Sequence, residues 1–271
     1  YEVHKNPFKT IKNIRKQLKE HGPYDCIHSP LMFYSSIICI AAKLEGVKNI
    51  IVHSHSAGDN KRKSFFRKIY IFISRIIINI LATKKLACGK IAGEFLYGKN
   101  VNFEVLYNGI NLEKFNNIKI SEIKKIKKEF NLTDEIVIGE VARFYKEKNH
   151  NYFIKLAKQL NEYKINYKIF LVGDGEQKKE FIDKIKKEGL INKFIILGNT
   201  YDVGKYMATF DVFMMPSLYE GFPLTVIEAL ASGTPCLLSN TITDEIKLFG
   251  KYIDFFDINN NIDIKLIKRK Q

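Results

Sequence analysis

Short apolar runs alternate with stretches in which apolar residues recur every three or four positions, most regularly in the second half of the chain. The apolar runs predict strands at residues 135–141, 167–172, 193–197, 211–215 and 235–239. The periodic stretches between them predict helices at residues 150–163, 176–188, 202–209 and 223–232. Strands that are apolar throughout and separated by helices are typical of a parallel sheet covered on both faces. We therefore predict a doubly wound α/β fold, whose ligands bind at the carboxyl ends of the strands.

The first half follows the same alternation with shorter strands. It predicts helices at residues 9–20, 33–44 and 62–81, and strands at residues 24–28, 48–53, 85–88 and 104–106. Residues 107–115 are rich in turn formers and carry neither period, which is typical of a linker. The chain is thus expected to form two domains, residues 1–113 and residues 114–271. Because residue 1 is Tyr, we expect the sequence to be part of something longer.

Charge and cysteine content limit the classes of protein that fit. The chain has 44 Lys and Arg against 29 Asp and Glu, a net charge of +15, but no sequence signature of a nucleic-acid-binding module. The four cysteines are scattered, without the spacing of a disulfide framework or a metal site. No long charge-free apolar run or signal peptide stands out. These features favour a cytoplasmic protein that does not bind nucleic acid.

The most informative stretch is residues 215–235. A predicted strand ends at Met215, a turn with Glu220 and Gly221 follows, and a helix is predicted to begin at Pro223. The free N–H groups at such a helix start form an anion site suited to a diphosphate. Glu220 and Glu228 would stand beside it, where carboxylates can accept sugar hydroxyl bonds. Taken alone, two glutamates in this arrangement more often belong to a capping turn and a solvated helix face, and the surrounding sequence reverses that preference.

The phrase SLYEGFPLTVIEALASGTP within this stretch resembles the signature of family-4 glycosyltransferases, which have the GT-B fold of two Rossmann-like domains with parallel sheets. The resemblance implies that Glu220 contacts the donor sugar in a catalytic role and that Glu228 holds the ribose hydroxyls of the nucleotide. It also implies that the backbone of five consecutive residues faces the sugar and the diphosphate: Gly221, Phe222, Pro223, Leu224 and Thr225.

Other positions carry the same resemblance. Arg143 and Lys148, after the strand at 135–141, match the cations that neutralise the donor diphosphate, a group that needs two positive partners. Residues 107–111 resemble the interdomain hinge. The nucleotide and its base are expected near four further residues, which follow two other strands: Gly173, Gly198, Asn199 and Thr200.

A histidine pair ends the predicted strand at 48–53. The resemblance places a catalytic His facing the transferred sugar at His55, with His53 as the second choice. A hydrogen-bonded turn histidine is the alternative. No third ligand follows at metal-site spacing and no Asp-x-Asp occurs, so we expect neither a metal nor any cofactor beyond the nucleotide diphosphate sugar itself.

These features together predict a retaining, metal-independent glycosyltransferase. It would move a hexose from a nucleotide diphosphate sugar to a saccharide or polyprenyl-linked acceptor. The phrase HSHS and residues 87–98 resemble the subset that builds capsular or exopolysaccharides. The family's opening strand, Gly-rich loop and closing helices have no counterpart here, so the amino-terminal domain is expected to be incomplete. The alternative is therefore an inactive fragment that retains nucleotide or membrane binding. A GT-B epimerase fits the glutamate spacing poorly.

Residues 61–85 contain eight Lys or Arg and no Asp or Glu, with apolar residues at helical spacing. A basic amphipathic helix can rest on an anionic bilayer. The alternative is a helix that packs on the core and exposes a basic side. The first interpretation predicts peripheral association with the inner face of the membrane.

Overall fold

The computed structural model describes residues 6–58 and 64–268, and it divides into two compact units between Asn108 and Gly109. This division falls inside the predicted linker at 107–115 and a few residues before the boundary expected at residue 113. Within the described ranges, no helix combines the length and the apolar character needed to cross a bilayer.

The first unit contains a four-stranded parallel sheet with the strand order β1-β2-β3-β4. Its strands are β1 (Cys26–Ser29), β2 (Asn49–Ser54), β3 (Lys84–Ala87) and β4 (Glu104–Val105). Its helices are α1 (Pro7–His21), α2 (Ser35–Leu44), α3 (Phe65–Leu81) and α4 (Lys90–Tyr97). The Tyr97 hydroxyl lies 2.6 Å from the carbonyl oxygen of Val52 and 2.7 Å from that of Leu86, which ties α4 to two strands.

The second unit contains a six-stranded parallel sheet with the order β10-β9-β8-β5-β6-β7. Its strands are β5 (Ile136–Val141), β6 (Tyr167–Val172), β7 (Phe194–Leu197), β8 (Val212–Met215), β9 (Cys236–Ser239) and β10 (Ile253–Phe256). The chain moves outward from β5 to β7, returns to the other side of β5 at β8, and continues to β10. The strand order thus reverses between β5 and β8, and this reversal leaves a crevice beyond their carboxyl ends.

Within the described residues, seven α-helices accompany the second sheet. They are α5 (Glu113–Asn116), α6 (Ile120–Glu129), α7 (Asn151–Glu162), α8 (Lys178–Lys187), α9 (Val203–Met207), α10 (Leu224–Ala231) and α11 (Ile264–Lys268). Strands β5, β6 and β8 carry almost only buried side chains, as expected for a sheet covered on both faces.

The end of the described chain packs on this core. The buried Gln159 side chain of α7 bonds both the carbonyl and the N–H of Ile262, at 2.7 and 3.3 Å. Ile264 and Ile267 of α11 are buried in the same apolar cluster. Residues 262–267 therefore pack on the core of the second unit.

Several boundaries differ from the prediction. The predicted helix at 62–81 begins at Phe65, because the Ser64 hydroxyl caps it by accepting from the Arg67 N–H, and residues 62–63 lie outside the described ranges. Helix α5 interrupts the predicted linker, and the buried Phe115 anchors it. Besides α5, four elements were not predicted: α4, α6, β10 and α11.

Candidate functional site

Two loops meet where the second sheet reverses its order. Residues 142–149 follow β5, and residues 216–223 follow β8. The Leu218 N–H donates to the Glu147 carbonyl at 2.7 Å, and the Asn149 side chain donates to the Pro216 carbonyl at 3.1 Å. These bonds hold the two loops together across the switch point of the sheet.

The loop after β5 is also hydrogen-bonded to the loop after β6. The Phe144 N–H donates to the Asp174 carbonyl, and the Gln177 N–H donates to the Phe144 carbonyl, at 2.9 and 3.0 Å. Gly173 and Gly175 have φ angles of 146° and 156°, and a Cβ on Gly173 would lie 2.1 Å from the Ala142 carbonyl oxygen. The glycines therefore allow the loop after β6 to pack directly on the backbone that carries Arg143.

The cations of the first loop differ in their surroundings. Arg143 is exposed, and its guanidinium lies 4.8 Å from the centre of the Tyr145 ring. Lys148 lies in a short 3-10 helix, Lys146–Lys148, and its Nζ is 2.6 Å from Oε1 of Glu220. The Lys148 and Glu220 side chains are only 17% and 14% exposed, so this pair is shielded from water much more than a surface ion pair is. The structure therefore brings two of the predicted site residues into direct contact.

A second polar pair, Glu140 and His150, lies buried behind this one. Glu140 is in the interior of β5, and its Oε2 lies 3.3 Å from Nε2 of His150. Burial raises the pKa of Glu140 well above its usual range and lowers the pKa of His150 to about 3, and Lys148 lowers both pKa values. His150 is therefore neutral near pH 7, so its contact with Glu140 is not an ion pair. The His150 ring stacks on Phe144, with the ring centres 3.9 Å apart.

The loop after β8 is anchored by its backbone. Ser239 and Thr241 hydroxyls both donate to the Ser217 carbonyl, at 2.6 and 2.7 Å. Phe222 is buried against Phe249, with the ring centres 5.3 Å apart. Helix α10 begins at Leu224 and not at Pro223, which occupies the N-cap position with extended backbone. The first turn of α10 therefore begins one residue later than predicted, directly after Pro223.

Glu228 faces a cavity of about 700 Å³ within the second unit. The lining also includes Leu224 of the same helix, Asn111 of the segment before α5, and Tyr201 and Asp202 of the loop before α9. Burial raises the pKa of Glu228, and none of the described cations pairs with its carboxylate. A half-buried carboxylate in a cavity can accept hydrogen bonds from a ligand hydroxyl.

The positions predicted near the base lie close to this cavity. Gly198 and Asn199 are exposed after β7, and the Thr200 hydroxyl accepts from the Asp202 N–H at 3.3 Å. The cavity lining, among the described residues, contains Tyr201 and Asp202 but not these three. The structure thus brings Lys148 and Glu220 into contact and places Leu224 and Glu228 on the cavity wall.

The predicted catalytic histidine lies in the first unit, at the carboxyl end of β2. His55 is exposed, whereas His53 is buried, and their ring centres are 4.0 Å apart. The His28 ring stacks on the other side of His53, at 5.4 Å. Burial lowers the pKa of His55 and, with the two neighbouring histidines, lowers that of His53 to about 4. Across residues 6–58 and 64–268, no group of three or more His, Cys, Asp or Glu side chains is placed to hold a metal ion.

Sequence reasoning missed Glu140, His150 and Tyr201. Glu140 could have been found from the sequence, because it is the one charged residue in the interior of the apolar strand at 135–141. A carboxyl group that is buried in this way needs a specific polar partner. Tyr201 gave no such signal, since its place on the cavity wall depends on how the loop before α9 folds.

Comparison with known proteins gives concordant matches. Residues 122–254 match the model of the family described as glycosyl transferases group 1. The Bacillus subtilis (strain 168) protein named as glycosyltransferase EpsF is 36% identical over 247 residues, which cover 89% of this chain. An Escherichia coli protein named UDP-Gal:alpha-D-GlcNAc-diphosphoundecaprenol alpha-1,3-galactosyltransferase is 29% identical over 94% of the chain.

A solved structure supports the same fold. The crystal structure of Anabaena HepE in complex with UDP superimposes with a TM-score of 0.76 at 19% identity, covering 92% of this chain and 68% of HepE. This likeness, with the two parallel sheets, confirms the predicted α/β GT-B fold. The chain spans 64% of the length of EpsF and 67% of the galactosyltransferase.

Proposed function

We propose that this chain, whose residues 122–254 belong to the glycosyl transferases group 1 family, provides the donor-binding part of a glycosyltransferase that builds a cell-surface polysaccharide. The observation that carries the proposal is the shielded Lys148–Glu220 pair at the switch point of the second sheet. In doubly wound folds this point is where a nucleotide binds.

The donor is a nucleotide diphosphate sugar. Lys148, Arg143 and the first turn of α10 supply positive charge and N–H groups for the diphosphate. Glu228 accepts the ribose hydroxyls in the cavity that it lines. The UDP in the HepE crystal makes a uridine nucleotide the first one to test.

The ion pair gives the site a switch between its free and bound forms. When the diphosphate arrives, the Lys148 ammonium turns from Glu220 to the phosphate oxygens. The Glu220 carboxylate is then free to accept hydroxyl hydrogen bonds from the hexose. Binding of the diphosphate thus prepares the side chain that holds the sugar.

Transfer proceeds without a metal and with retention of configuration. The bond from the anomeric carbon to the diphosphate breaks, and the acceptor hydroxyl oxygen attacks from the same face. The hydroxyl proton passes to the departing diphosphate, whose negative charge Lys148, Arg143 and the α10 N–H groups stabilise. The catalytic role expected for His55 stays a prediction.

The acceptor is a lipid-linked saccharide. The E. coli relative is named for a diphosphoundecaprenol-linked sugar, and that name supports an acceptor of this class. The alternative function is nucleotide binding without transfer.

Titration calorimetry followed by a transfer assay tests the proposal. The chain should bind UDP or another nucleoside diphosphate at least about tenfold more tightly than the matching monophosphate. A charge-assisted contact of about 1.5–3 kcal/mol gives a factor of that size. The transfer assay then measures how much sugar moves from the bound sugar nucleotide to a polyprenyl diphosphate saccharide, after correction for hydrolysis. Transfer above the hydrolysis background distinguishes an enzyme from a protein that only binds the nucleotide. Equal affinity for the diphosphate and the monophosphate contradicts the donor site itself.

A further inference from the structure

The outward face of α3 in the first unit is entirely apolar. Seven large side chains spaced along the helix form this surface, which we call the α3 face: Phe65, Phe66, Ile69, Phe72, Ile73, Ile76 and Ile80. Phe66 is 81% exposed and Ile80 is 73% exposed, at opposite ends of the helix. A contiguous exposed patch of this kind on a soluble domain marks an interaction site.

The opposite side of α3 fixes which residues point outward. Ile78 is fully buried, and the buried Ser74 hydroxyl bonds the Ser36 hydroxyl of α2 at 3.2 Å. The Arg75 guanidinium donates to the Phe95 and Leu96 carbonyls of α4. Rotating the helix to hide the α3 face would break these contacts, so its exposure is built into the first unit.

Positive charge surrounds the beginning of the α3 face. Lys68 is exposed on its flank, and the N-terminus of the helix adds a partial positive charge. The sequence places Lys61, Arg62 and Lys63 immediately before the helix, and Lys84 and Lys85 soon after it. No Asp or Glu occurs between residues 61 and 85.

This charge distribution favours an anionic bilayer over a second copy of the chain as the partner that covers the α3 face. A second copy would bring basic segments together at both ends of the helix, without any acidic residue in the stretch to compensate. An anionic bilayer supplies the opposite charge and an apolar interior at the same time. Phenylalanines next to cations at one end suit the boundary between headgroups and acyl chains.

We infer that the α3 face docks on an anionic lipid bilayer, with α3 lying in the plane of the surface. Phe65, Phe66 and Phe72 enter the acyl boundary, and Lys68 contacts the lipid phosphates. The inference does not depend on the proposed transferase activity, and it names a lipid partner that the donor site does not require.

Vesicle co-sedimentation tests the inference directly. The chain should pellet with phosphatidylglycerol-containing vesicles and remain in solution with pure phosphatidylcholine, and high salt should reduce the binding. The combined variant Phe65→Ser, Phe66→Ser and Phe72→Ser should lower the partition coefficient by at least about tenfold. Phe8→Ser is the matched control, because Phe8 is 80% exposed on α1 and lies outside the α3 face. Circular dichroism verifies that each variant is folded.

An inserted fluorophore gives a second readout that does not depend on pelleting. The chain contains no tryptophan, so Ile80→Trp introduces a single reporter on the α3 face. Its emission should shift to shorter wavelength with anionic vesicles, whereas Leu248→Trp, at an equally exposed site in the second unit, should not shift.

Three results would overturn the inference. They are equal binding to neutral and anionic vesicles, undiminished binding of the triple Phe variant, and no vesicle binding by the parent chain. Light scattering in lipid-free buffer identifies the main competing occupant. A parent dimer that the triple variant converts to monomers would assign the α3 face to a second copy.

Discussion

Lys148 and Glu220 are 72 residues apart in the chain, yet their charged groups lie 2.6 Å apart across the switch point of the second sheet. Each comes from a different loop, and the strand order alone makes those loops neighbours. The free protein therefore holds a cation and a carboxylate at the place where a diphosphate and a sugar are proposed to bind.

Replacing Lys148 with Met tests the role of this pair. The substitution keeps the aliphatic stem but removes the charge, and it leaves Glu220 without its partner. UDP affinity should fall about ten- to a hundredfold, while uridine affinity changes little, because only the phosphates meet the cation. Lys146→Met is the control, since Lys146 is exposed in the same short 3-10 helix. Similar losses for UDP and uridine, or for both variants, would show that Lys148 does not contact the diphosphate.

Gly173→Ala tests how the loop after β5 is positioned. The new Cβ would meet the Ala142 carbonyl, and the φ angle of 146° is unfavourable for alanine. Unfolding free energy should fall by on the order of 1–3 kcal/mol. UDP affinity should also drop at a temperature where the variant is folded, because Arg143 is displaced. Gly46→Ala provides a control, since its φ is also positive but nothing lies within 4 Å of the added Cβ. Equal effects of the two substitutions would show that close packing of Gly173 on the Ala142 carbonyl does not position the loop.

The buried His150 makes the stability depend on pH. Its pKa is about 3 in the folded chain and about 6.5 when unfolded, so its contribution is present above pH 6.5 and is lost as pH falls toward 3. Between pH 7 and pH 5, the parent should lose about 2 kcal/mol more unfolding free energy than His150→Gln. His53 titrates in both proteins, so the difference isolates His150. Chemical denaturation at the two pH values measures it, and parallel curves would mean that folding leaves the pKa of His150 unchanged.

Glu140 predicts the opposite pH trend. Because its pKa is raised in the folded chain, its favourable contribution is complete below the unfolded pKa and is lost as pH rises. Glu140→Gln keeps the shape and removes the titration. The variant should therefore gain stability relative to the parent as pH increases from 4 to 8. A variant that becomes relatively less stable over this range would indicate that Glu140 is ionised and paired in the native state.

Much of this architecture was predictable from the sequence because the buried strands of a parallel sheet leave clear apolar runs. Strands β5, β6 and β8 matched their predictions within a residue or two. The missed helix α6 is mostly polar, and its beginning depends on Glu122 accepting from the Lys119 N–H at 3.0 Å. The missed helix α4 contains Gly93, which weakens a helical pattern.

The candidate site was predictable as a set of residues but not as an arrangement. Lys148 and Glu220 were each assigned to the donor, and their contact follows from strand order, which periodicity does not reveal. The opposite pKa shifts of Glu140 and His150 depend on how deeply both side chains are buried. Burial of this kind comes from tertiary packing, which sequence alone does not fix.

The most direct test of the central claim is whether Glu228 binds the ribose of a nucleotide diphosphate. Titration calorimetry should compare the parent chain and Glu228→Gln, each with UDP and with 2′-deoxy-UDP. The substitution preserves shape and the fold but removes the charge, so UDP affinity should fall about ten- to a hundredfold. The loss on removing the 2′-hydroxyl should be smaller in the variant than in the parent, because the partner of that hydroxyl is already impaired. Unchanged UDP affinity, or strictly additive losses, would contradict the account.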